Sequence, residues 1–186
     1  MSAHAGSPSW ITADALLRMP RGRIRRELVR GEVRELPLRG AGEGAMLARL
    51  SMEMSDHVDR HDLGQVYAAG TGFQLAAHPD TVLAPAVSFV RRERLAGRPP
   101  SGGYFPGAPE LVVEVVSPSA SPDVIRAKAA DWLASGCRMV VLVNLDDRTV
   151  HVCRPHNETA LLTGDDELDG GDVLPGWCLP VRRIFS

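Results

Sequence analysis

Lysine is almost absent from this chain. Of its 21 basic residues one is a lysine, Lys128, and the rest are arginines. Such a bias is typical of a GC-rich genome, in which any surface that needs only positive charge is written in arginine. Arginine cannot stand in where a compact, mobile ammonium is required, so the lone lysine marks a position worth following. Aromatic residues make up 5% of the chain, so aliphatic side chains must fill the core. The three cysteines, Cys137, Cys153 and Cys178, are scattered and odd in number. Without a CxxC pair they indicate neither a zinc cage nor a disulfide framework. Cys137 and Cys153 lie in apolar surroundings and read as small core residues. No apolar run approaches the length needed to cross a bilayer. Residues 1–9 are polar and lack the basic-then-apolar pattern of a signal segment. The expectation is a cytoplasmic protein with reduced thiols and no membrane partner. The formal net charge is −2, so no global field gathers nucleic acid, and a polyanion would need a local basic patch.

What is present is the composition of an ordinary globular protein, 44% hydrophobic and 24% charged over 186 residues. It predicts a flexible tail over 1–9 and a single domain with its own core over 10–186. Thr12 caps a short helix, 13–19, that Pro20 ends. Residues 24–30 and 32–37 flank a hairpin turn at Arg30-Gly31. Residues 38–44 are glycine-rich and read as a loop. Met46, Leu47, Leu50, Met54 and Val58 then recur at helical spacing over 45–61, with Gly64 as the stop signal. Extended segments follow at 65–69, 72–76 and 82–90. A basic and then glycine- and proline-rich stretch, 91–109, reads as a surface loop. The apolar strand 110–116 leads through a sharp turn, 117–122, to a helix ending at Ser135. Ser121 is its N-cap, Pro122 its first residue and Gly136 its C-terminal cap. A second apolar strand, 138–144, and a return strand, 150–154, precede a tail of short strands and turns. Leu174-Pro-Gly-Trp177, Ile184 and Phe185 in that tail predict docking on the core or on a partner subunit. The pattern predicts an α/β or α+β fold with a mixed sheet, in which the strand–helix–strand step is a right-handed crossover.

Two residues stand out. The strand Leu111-Val-Val-Glu-Val-Val116 is apolar on both faces, as a central strand should be, yet it contains Glu114. A lone carboxylate there is unfavourable unless it is paired or bound to a metal. The plain alternative is a strand-end carboxylate satisfied by arginine or backbone donors. Lys128 lies three residues after Ile125 and four before Trp132, at the border of the apolar helix face, from which its head could reach Glu114. The plain alternative is a solvated lysine paired with Asp131.

A resemblance covers nearly the whole chain, from about Trp10 to Phe185. The strings Arg26-Glu-Leu-Val-Arg-Gly-Glu32, Thr71-Gly-Phe-Gln-Leu75, Ala84-Pro-Ala-Val-Ser-Phe-Val90, Phe105-Pro-Gly-Ala-Pro-Glu-Leu-Val-Val-Glu-Val-Val-Ser-Pro-Ser119 and Leu174-Pro-Gly-Trp177 occur in this order. Together they resemble the Uma-type family of restriction endonucleases, within the PD-(D/E)XK, restriction-endonuclease-like superfamily. The resemblance implies a mixed sheet flanked by helices and a metal-dependent DNA endonuclease using magnesium or manganese. It implies metal ligands at position 86, at Glu114 and at the Val115 carbonyl. The superfamily's lysine, normally two residues after that glutamate, is implied at Lys128, because Val116 holds its usual place. Glu27 matches an acidic residue at the rim of the site.

One departure matters. Where the family has Pro-Asp, this chain has Pro85-Ala86, so the principal metal carboxylate is missing and magnesium or manganese binding should be weak or absent. Asp80 sits in a His-Pro-Asp turn beyond the strand start and is not expected to replace it. Ala86 is read either as natural loss in a paralogue or as an introduced inactivating change. Two arginine clusters, at 21, 23, 25 and 26 and at 91, 92, 94 and 98, could hold phosphates, or be solvated surface. His57 and His61 have no evident third ligand and are read as helix-surface residues; His151 and His156 are read as structural. Three readings stand: a DNA endonuclease impaired by Ala86, a catalytically inactive binding or regulatory protein on the same scaffold, and an enzyme whose cleft has been reused. A homodimer is a further expectation.

Overall fold

The computed structural model describes residues 10–20, 24–97, 102–116 and 121–186. The expected tail 1–9, Arg21, Arg23 and Arg98, and most of the turn after the central strand lie outside the described residues. In chain order the elements are α1 (Ala13–Arg18), β1 (Arg25–Val29), β2 (Glu32–Leu36), α2 (Ala41–Arg60), β3 (Gly64–Ala68), β4 (Phe73–Ala76), β5 (Thr81–Leu83) and β6 (Val87–Arg91). A 3-10 helix, Arg92–Gly97, precedes β7 (Phe105–Pro106), β8 (Leu111–Val116), α3 (Pro122–Ala134), β9 (Met139–Asn144) and β10 (Thr149–Arg154). The chain ends with β11 (Glu158–Leu162), β12 (Glu167–Asp169), β13 (Cys178–Pro180) and α4 (Val181–Ile184).

The strands form two mixed sheets and a small ribbon rather than one sheet. A six-stranded sheet has the order β11-β10-β9-β8-β6-β3 and a five-stranded one the order β2-β1-β5-β4-β7; β12 pairs with β13. In the larger sheet β8 and β9 run parallel, with Glu114 opposite Leu142, and α3 is the crossover between them. Side chains alternate across β8 and so serve two cores. Leu111 and Val113 face the layer built on Met46, Leu50 and Met54 of α2, with Trp177 and Ile184 of the tail. Val112 and Val116 face Ile125, Ala129 and Trp132 of α3. The tail therefore docks on the chain's own core, and Trp177 is buried.

Three local expectations are corrected. The extended run 82–90 is two strands in different sheets. Leu83 ends β5 in the five-stranded sheet, and Val87 begins β6 in the six-stranded one. Pro85 between them has no N–H to donate to a ladder, so the chain changes sheets there. The glycine-rich stretch is not all loop: α2 starts at Ala41 and absorbs Gly42 and Gly44, capped by Gly40. The buried row from Met46 to Val58 outweighs the poor helix propensity of two glycines. Gly64 does not stop the helix but opens β3. Its φ is +152° and a Cβ there would lie 2.1 Å from the Val90 carbonyl oxygen, a position only glycine tolerates.

Candidate active site

The site starts from the break at Pro85. Because β5 and β6 belong to different sheets, a cleft of about 820 Å³ opens between the β1–β2 hairpin on one wall and β8 with α3 on the other. Strand alternation turns Arg25 and Glu27 of β1 into it, together with Arg34, which pairs in register with Glu27. Arg39, just before α2, lines the same wall. The opposite wall carries Glu114, Val115, Lys128 and Trp132.

Helix α3 is seated as its sequence suggests. The Ser121 side chain accepts from Val124 N, Pro122 occupies the first turn, and Ile125, Ala129 and Trp132 are buried on the sheet. This seating brings Lys128 over β8. Its ammonium lies 3.3 Å from Glu114 Oε2 and donates to the Val115 carbonyl at 3.1 Å. The Glu114 side chain is 7% exposed and that of Lys128 37%, so a buried carboxylate meets a cation whose stem still reaches solvent. The indole N–H of Trp132 donates to Glu114 Oε1 at 3.2 Å. The two carboxylate oxygens thus each have a partner, which is what a charge on a central strand requires. The alternative pairing of Lys128 with Asp131 is not the one formed.

Glu27 faces them from the other sheet. Its Oε1 accepts from the Ala84 N–H at 3.0 Å, tying β1 to the residue before Pro85. Burial raises its carboxyl above the ordinary glutamate value, the Ala84 N–H opposes that shift, and the nearby Glu114 charge adds to it. Burial lowers Arg39, as does the neighbouring Arg25, while Glu114 and Glu27 act in the opposite sense. Arg39 also pairs with Glu43.

Position 86 is where the resemblance and the chain part. The Ala86 N–H donates to the Val113 carbonyl at 2.9 Å, so residue 86 lies against β8 one residue from Glu114. Ala86 as a whole is 1% exposed and packs in the core on the α2 side. Asp80 is engaged elsewhere: it accepts from Ala13 N at 2.7 Å and from His78 N at 3.1 Å, and these N–H groups lower its pKa. His57 and His61 stack at 4.2 Å, and His57 donates to the Pro175 carbonyl at 2.9 Å.

The donors present do not fit a divalent ion. Glu114 Oε1 is taken by Trp132, Oε2 and the Val115 carbonyl by the ammonium, and Glu27 Oε1 by Ala84. Residue 86 offers a methyl. Among the described residues no group of three or more His, Cys, Asp or Glu side chains converges on one point. Hard divalent ions need several converging oxygen ligands, and position 86 supplies none.

Of the residues singled out in the sequence, Glu27, Glu114, Val115 and Lys128 meet at this cleft. Sequence reasoning missed Trp132, Arg34 and Arg39. Trp132 stands four residues after Lys128 on one helix face, a spacing that could have flagged it. Of the arginine clusters, Arg25 lines the cleft. Arg26 instead pairs with Glu35 at 3.1 Å, Arg94 with Glu110 at 3.0 Å, and Arg92 with Asp62.

Mixed sheets flanked by helices, with a carboxylate and a lysine facing a cleft from a central strand and its crossover helix, define a restriction-endonuclease-like fold. Residues 13–182 match the Uma2 family, whose description reads "Putative restriction endonuclease", and the chain belongs to that family. Among solved structures, the crystal structure of a putative nuclease from Anabaena variabilis ATCC 29413 is similar at a TM-score of 0.79 and 21% identity, covering 94% of this chain and 97% of that one. No curated protein matches the chain. Among the described residues no helix is long and apolar enough to cross a membrane.

Proposed function

We propose that this chain is a nuclease of the PD-(D/E)XK type whose metal site is incomplete, so that it cleaves DNA poorly or not at all with magnesium or manganese. The observation that carries this reading is the state of the ligand atoms. Residue 86 has no carboxylate, and Glu114 and Val115 are engaged by Lys128. Phosphodiester hydrolysis in such a site depends on an ion to activate water and neutralise charge on the transferring phosphoryl group. Arg25, Arg34 and Arg39 line the cleft and suit contacts to a nucleic-acid backbone, which position a duplex without reading its sequence. Binding would therefore outlast cleavage, and a DNA-binding or regulatory role on the same scaffold is the second reading. We extend the proposal to a cytoplasmic homodimer acting on DNA.

The test is restoration. Ala86→Asp should acquire nicking of plasmid DNA with magnesium or manganese, and Ala86→Asp with Lys128→Ala should lose it again. A parent chain that digests plasmid as fast as Ala86→Asp would refute the site assignment.

A further inference from the structure

Lys128 touches the two ligand atoms that remain. Its ammonium is 3.1 Å from the Val115 carbonyl and 3.3 Å from Glu114 Oε2, and the third implied ligand is the Ala86 methyl. An ammonium that shares these oxygens with a divalent ion would meet it as a like charge at close range in a half-buried site. The surrounding charges add to this. Arg25 and Arg39 stand beside Glu27 on one wall and face Glu114 on the other, so the carboxylates already have cationic neighbours without an added ion. The helix face that carries Lys128 is fixed by Ile125, Ala129 and Trp132, and the lysine side chain is partly exposed.

We infer that the Lys128 ammonium is the resident cation of this site, holding the Glu114 and Val115 oxygens in competition with a divalent ion. The inference rests on the site assignment above and goes beyond it. In an intact nuclease the lysine is expected to assist a bound ion; here it substitutes for one. Two consequences follow. Removing the charge opens the site to an ion even with Ala86 in place. Restoring the carboxylate at 86 lets an ion in only by displacing the ammonium.

The chain supplies its own probe. Lys128 is its only lysine, so lysine labelled with 13C next to the ammonium gives a single side-chain signal in the full-length protein. Calorimetry with magnesium and manganese is run on the parent, Lys128→Met, Lys128→Arg and the double variant Glu114→Gln with Lys128→Met. Lys128→Met should bind more tightly than the parent by roughly 5–150-fold, the usual range of coupling between two ligands. Lys128→Arg, which keeps the charge, should stay with the parent, and the double variant should lose the gain. Equal binding by the parent and a folded Lys128→Met overturns the inference. The labelled Lys128 signal decides independently of whether that variant folds. In Ala86→Asp it should shift as magnesium binds. If Ala86→Asp binds the ion with the signal unmoved, this inference alone falls. If Ala86→Asp binds no ion, the site assignment falls and this inference with it.

Discussion

The sharpest test of the site is energetic and needs no substrate. Ala86→Asp places a carboxylate where the alanine is 1% exposed, one residue along β8 from Glu114. Extra atoms in a packed core cost about 1–3 kcal/mol, and an uncompensated buried charge about 3–5 kcal/mol. The buried charge dominates. In chelator the variant should therefore be less stable than the parent by about 3–5 kcal/mol. For a chain of this length each kcal/mol shifts the midpoint by about 2–4 °C, so the fall should be about 6–20 °C. If residue 86 and Glu114 share an ion, saturating metal returns much of the loss, about 2.7 kcal/mol at a concentration roughly a hundredfold above Kd. Thermal unfolding of parent and variant, each with chelator and with manganese, gives the four values needed. The parent midpoint should not move with metal, while the variant's should rise. A variant as stable as the parent in chelator would show that residue 86 can send its side chain to solvent. A variant that falls and is not recovered by metal would refute its role as a ligand.

Other outcomes follow from the same structure. Trp177→Ala should cost about 3–5 kcal/mol in urea unfolding, because the indole is buried among residues of α2 and the tail. Unchanged unfolding would mean that the tail does not dock. Glu27 has a folded-state pKa above its ordinary value of 4.5. The folded chain then binds more protons than the unfolded one above that pH, so stability falls as pH rises from about 4.5 through the folded pKa. Glu27→Gln, whose amide oxygen can still accept from Ala84, should flatten this part of the stability–pH curve. Superimposable slopes for parent and variant over that window would rule out Glu27 as the cause.

Much of this architecture was legible because local and tertiary signals agree. Ser121, Pro122 and Gly136 mark both ends of α3, and the border position of Lys128 on its apolar face gave its direction toward Glu114. The start of α2 was not legible, since Gly42 and Gly44 argue against a helix and only the packing of Met46 and Leu47 reverses that. The division of 82–90 was hidden for a related reason. Val82, Val87 and Val90 are all buried, and hydropathy does not say that they are buried in different layers. Pro85 was the available signal. Of the site, the carboxylate–lysine pair was readable because a charge on an apolar strand demands a partner. Trp132 reads as an apolar ring on a helix face, and nothing in a sequence says where its single N–H points. Arg34 and Arg39 belong to the cleft only through the hairpin register and the path into α2.

The two walls of the cleft do not rest on equal foundations. Glu114 stands on β8, between the two large cores, and Lys128 on α3, which packs on one of them. Glu27 stands on β1, in a sheet whose β5 has three residues and whose β7 has two. Phe73 and Phe105 anchor the far end of that sheet in the α3-side core. The hairpin end relies on the small cluster of Ala13, Leu16, Leu28 and Val82. Amides of β1 and β2 should therefore exchange with solvent through local opening, well before those of β8 and β9. On warming, the arginine-bearing wall would leave first, and the Lys128–Glu114 pair would persist on the larger sheet with one side of its cleft gone.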